Sequence, residues 1–60
     1  MKPRYMVSVF GKNIRDQFFC HYLADAKEQF ETLVKNPYKR GVVVSIYDLT
    51  AKTKKATKKF

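Results

Sequence analysis

The chain opens on two short stretches rich in apolar residues whose side chains would alternate between the faces of a sheet. From Arg4 to Phe10, Tyr5, Val7 and Val9 alternate with Met6, Ser8 and Phe10. Aromatic and β-branched residues dominate this stretch, so a strand is predicted. Gly11-Lys12-Asn13 is a turn signal. A glycine at the first central position suits a two-residue type II′ hairpin, and a three-residue loop is the alternative. Ile14 to Tyr22 is predicted as the second strand. Its two faces would be Ile14, Asp16, Phe18, Cys20, Tyr22 and Arg15, Gln17, Phe19, His21. Neither face is cleanly polar, which leaves room for a β-bulge.

The period then changes. Leu23, Ala26, Phe30, Leu33 and Val34 recur at three- and four-residue steps and share one helix face. Asp25 and Glu28 have the spacing of a capping box. Pro37 disfavours the α conformation at Asn36, so the helix is expected to end there. Val42 to Leu49 is predicted as the third strand, and its continuous apolar start suggests burial on both faces or an interface. From Thr50 the hydrophobic period is lost. Residues 51–60 are dense in lysine and are expected to be disordered.

The expected fold class is therefore α+β, of ββαβ order. A three-stranded antiparallel sheet of order 2-1-3, with its outer strands parallel to each other, carries one helix packed on one face. Residues 1–50 form a single domain and residues 51–60 a flexible lysine-rich tail. If Tyr5, Val7, Val9, Val42, Val44 and Ile46 face the helix, then Met6, Phe10, Val43 and Tyr47 face away. Phe18 or Phe19 joins them, depending on register. The uncovered face would then be apolar and aromatic, and large patches of that kind mark binding surfaces.

Charge sharpens this picture. The formal charge is +8. Residues 1–50 contribute +3 and the last ten residues +5. A domain of this length buries only about 60% of its unfolded surface. With one cysteine and one histidine it has neither an internal disulfide nor a closed zinc site to help. No stretch approaches the ~18 apolar residues of a membrane span. A lone cysteine fits a reducing compartment, so a cytoplasmic protein with no membrane partner is expected.

No catalytic constellation stands out, and no cofactor or metal is implied. Cys20 and His21 are neighbours in a strand and point to opposite faces. The expectation is a non-enzymatic, nucleic-acid-binding accessory protein. Phosphate contacts would come from Lys52, Lys54, Lys55, Lys58 and Lys59 of the tail, and from Arg4, Lys12, Arg15, Lys39 and Arg40. Phe10, Phe19 and Tyr47 would supply a stacking surface for single-stranded DNA or RNA. The strand–strand–helix–strand order over residues 4–49 also resembles that of small bacteriophage proteins that inhibit host machines, among them an inhibitor of bacterial RNA polymerase. That resemblance is one of topology. It implies the alternative of a regulator that binds a host protein machine, such as a polymerase or a defence enzyme, through its sheet face or edge. An acidic protein partner belongs with that alternative, and a homodimeric structural module with no ligand is a third possibility.

Overall fold

A computed structural model describes residues 2–36, 38 and 40–60 of the chain. The elements are β1 (Tyr5–Phe10), β2 (Arg15–Cys20), α1 (Leu23–Val34), β3 (Val43–Asp48) and β4 (Thr53–Lys59). The four strands form one sheet of order β2-β1-β3-β4, and every neighbouring pair is antiparallel. The expected three-stranded sheet is thus corrected to four strands. Its outer strands are β2 and β4, which run in opposite directions rather than parallel. The segment expected to be a disordered tail is the fourth strand.

The physical reason lies in β3. The main-chain groups of a largely buried strand need partners at both of its edges. β1 occupies one edge of β3, and β4 satisfies the main-chain groups of the other. Asp48 turns the chain back. Its Oδ1 accepts the backbone N–H groups of Thr50 and Ala51, each at 3.0 Å. Lys52 then takes a left-handed conformation, with φ 56°. Ala56 and Phe60 pack partly buried against the core, and the Phe60 ring meets Tyr38 edge-on at 5.4 Å. Phe60 N–H donates to the Val42 carbonyl at 2.8 Å, closing the far end of the β3–β4 ladder.

The core is Tyr5, Val7 and Val9 from β1, Val44 and Ile46 from β3, with Val42 just before it and Ala26 from α1. Leu23, Phe30, Leu33 and Val34 of α1 pack against this cluster. The helix therefore covers one sheet face, as its period predicts. It begins earlier than the capping-box spacing suggests. Tyr22 is the N-cap residue and makes no side-chain cap bond. Asp25 instead sits in the first turn, where its charge favours the positive end of the helix dipole. Pro37, the expected terminator, lies outside the described residues, and α1 ends at Val34.

The first hairpin also differs from expectation. Gly11 N–H donates to the Ile14 carbonyl at 2.8 Å, so Lys12 and Asn13 are the central residues. Gly11 has no positive φ, which excludes the type II′ turn. Glycine eases a close approach here: a Cβ at Gly11 would lie 3.0 Å from Val42 Cγ2 and 3.1 Å from Ile14 Cγ2, methyl groups that would have to give way by a few tenths of an ångström. Register along β1–β2 is continuous, so β2 holds no bulge. The irregularity falls between Ile46 and Tyr47 in the β3–β4 pair.

Candidate nucleic-acid interface

Register decides which side chains meet on the face that α1 leaves open. Cross-strand partners share a face. Val7 pairs with Phe18 and with Ile46, so Phe18 is on the helix side. Met6 pairs with Phe19 and with Tyr47, which places Phe19 on the open face. Three transverse rows result. Phe19, Met6, Tyr47 and Lys54 form the first. Gln17, Ser8, Ser45 and Thr57 form the second. Arg15, Phe10, Val43 and Lys59 form the third. Aromatic rows therefore flank a polar strip. Met6, Ser8, Phe10, Gln17, Phe19 and Tyr47 all line one shallow hollow on this face, which Arg15 and Asp16 border at the β2 edge.

Two rings of the face carry cations. The Lys54 Nζ sits 5.5 Å from the Tyr47 ring centroid, and the Arg15 guanidinium 5.5 Å from that of Phe10. Exposed ring surface remains for a ligand: Phe10 is 54% exposed, and Phe19, which carries no cation, is 55% exposed. No acid belongs to any of the three rows. Asp16 and Asp48 pair with Val9 and Tyr5 on the helix side, and Asp25, Glu28 and Glu31 are on α1 itself. Of the five acids of the chain, Asp16 alone borders the hollow of the open face.

The other sequence-predicted residues scatter around this surface. Lys12 and Arg40 line a hollow at the β1–β2 hairpin end. Lys52 is in the β3–β4 turn, and Lys55 is the unpaired residue at the bulge. Lys58 pairs with Val44, so it projects to the helix side, near Phe60. Lys39 lies outside the described residues. Arg4 is engaged elsewhere. Its guanidinium meets the Asp48 carboxylate, with Nη2 to Oδ2 at 3.2 Å, in the one ion pair among the described residues. The Ala51 and Thr50 N–H groups and Arg4 hold the Asp48 carboxyl below its ordinary range, with Ala51 the largest influence. Asp48 is 1% exposed and belongs to the scaffold.

Sequence reasoning missed Lys54 and Lys59 as members of an ordered face, because it treated them as tail. It also missed Gln17, Ser8 and Thr57, whose row is visible only once all four strands are in register. Cys20 is half-buried against the core, and burial followed by Asp25 pushes its thiol pKa up. A raised thiol is a poor nucleophile at neutral pH. No group of three metal-ligating side chains comes together among the described residues. No helix among them is long and apolar enough to cross a membrane. Compared with known proteins, the chain matches no family model, no curated protein and no solved structure.

Proposed function

We propose that this chain is a non-enzymatic protein that binds single-stranded nucleic acid on the open face of its sheet. The observation that carries the reading is segregation. Exposed Phe10 and Phe19, with Tyr47, share a surface with Arg15, Lys54 and Lys59, while no acid belongs to its three rows and Asp16 alone borders its hollow. Bases stack on aromatic side chains with little regard to sequence, and cations spaced around them neutralise phosphates. The rings sit at the two ends of the hollow and the polar strip lies between them, where base edges find hydrogen-bond partners. A duplex keeps its bases stacked on each other, so this surface favours unpaired strands.

The lysines of β4 act as fixed phosphate contacts. On a strand their spacing is set by the main chain, which reduces the ordering cost of binding compared with a loose tail. In this reading the protein works in the cytoplasm, where a free Cys20 thiol persists.

Fluorescence anisotropy with labelled single-stranded and duplex oligonucleotides tests the proposal. Binding to the single strand should be tighter and should fall with rising salt. Phe19→Ala should weaken it by about 1–3 kcal/mol. Lys54→Ala with Lys59→Ala should flatten the log–log salt slope by roughly 0.7 for each phosphate left without its cation. Equal binding of both oligonucleotides, or a Phe19→Ala variant that binds unchanged, would refute the reading.

A further inference from the structure

We infer that β2 is a self-association edge, and that two copies of this chain pair there antiparallel to form one continuous sheet. The inference does not require nucleic-acid binding, although Arg15, Gln17 and Phe19 belong to both surfaces, and it rests on how differently the two sheet edges are built. Edge strands expose unpaired main-chain groups, and monomeric proteins guard them with lysine, proline or bulges. The β4 edge is guarded: Lys54, Lys55, Lys58 and Lys59 line it, and a bulge interrupts it. Pairing β4 with a second β4 would set lysine against lysine. The β2 edge carries no lysine, no proline and no bulge, and its two charges, Arg15 and Asp16, are of opposite sign and both lie at its start. It instead exposes Phe18 at 38% and Phe19 at 55%.

Hydrogen-bond phase shows which groups are unpaired. Gly11 donates to the Ile14 carbonyl at 2.8 Å, so those two residues are a hydrogen-bonded pair. Alternation along an antiparallel ladder then directs the main chain of Asp16, Phe18 and Cys20 toward β1. The N–H and C=O groups of Arg15, Gln17 and Phe19 point outward. The same phase continues across the sheet, where Leu49 N–H donates to the Arg4 carbonyl at 2.7 Å.

A two-fold axis through Gln17 makes this edge self-complementary. Gln17 faces its own copy, and Arg15 faces Phe19 of the second chain on both sides of the axis. All three pairs then exchange both main-chain hydrogen bonds. Arg15, whose guanidinium lies over the Phe10 ring of its own chain, meets no like charge across the axis. On the helix side Asp16 faces Phe18, so no like charges are opposed. Such an isologous contact closes at two chains.

Sedimentation equilibrium and amide hydrogen exchange on the full, nuclease-treated chain test this. The expected result is a dimer, with the Arg15, Gln17 and Phe19 amides protected in a concentration-dependent way. Gln17→Pro removes an N–H that the single chain does not use and should weaken the dimer at least about tenfold. Phe19→Lys, which sets a lysine opposite Arg15, should act in the same direction. Thr57→Pro, on the other edge, should leave the mass unchanged. A monomer at all accessible concentrations would overturn the inference. So would an open polymer, or a dimer that both β2 variants leave intact.

Discussion

Asp48 joins three jobs in one carboxylate. It accepts the Thr50 and Ala51 N–H groups, starts the turn into β4, and pairs with Arg4 ahead of β1. Its pKa is depressed in the folded chain, so its contribution to stability is fully present above the ordinary carboxylate value. That contribution is lost as pH falls from about 4 toward the lowered value. Urea midpoints of the wild type and Asp48→Asn should therefore differ most at neutral pH and converge in acid. Gly11 is constrained differently. Its backbone is ordinary, but its missing Cβ leaves room for Val42 and Ile14. Gly11→Ala should destabilise the fold by about 1–3 kcal/mol, as overpacking does, measurable by the same unfolding curves. Gly41, at φ 97°, is the position where backbone conformation itself favours glycine.

Among the elements, β4 departs furthest from the sequence-based expectation. If residues 53–60 were a tail, deleting them would leave the domain folded. In a four-stranded sheet, deletion strips β3 of its second neighbour and exposes Val44 and Ile46. The truncated chain should lose cooperative thermal unfolding by circular dichroism, whereas the full chain keeps it. The other elements were legible in the sequence because each carries a hydrophobic period. Tyr5, Val7 and Val9 repeat at two, and Leu23, Ala26, Phe30 and Leu33 repeat at helical steps. β4 has no such period: in Thr53–Lys59 only Ala56 is even partly buried. Its stability comes from the main-chain ladder and from Phe60, which periodicity does not register. One clue was present. The continuous apolar run Val42–Val43–Val44 signals a strand with neighbours on both edges, which a 2-1-3 sheet denies to β3. Site residues divided along the same line. Phe10, Phe19 and Tyr47 were legible as candidates from the uncovered face, but the ordering of Lys54 and Lys59 depended on β4.

For the whole molecule, the distribution of charge matters more than its total. The chain carries +8, and the sheet topology sorts it. By register the acids fall on α1 and the helix side, where Lys27 and Lys58 also lie, while Arg15, Lys54 and Lys59 flank aromatic rings on the open face. Such a molecule approaches a polyanion with its open face foremost, and salt weakens that steering. The central claim is that this face binds unpaired nucleic acid, and mapping amide chemical shifts during titration with a short single-stranded oligonucleotide tests it most directly. Perturbed amides should cluster at Met6, Phe10, Arg15, Phe19, Tyr47 and Lys54, while those of Lys27, Glu28 and Glu31 on the exposed side of α1 stay in place. Perturbations centred on the helix, or none at low salt, would contradict it.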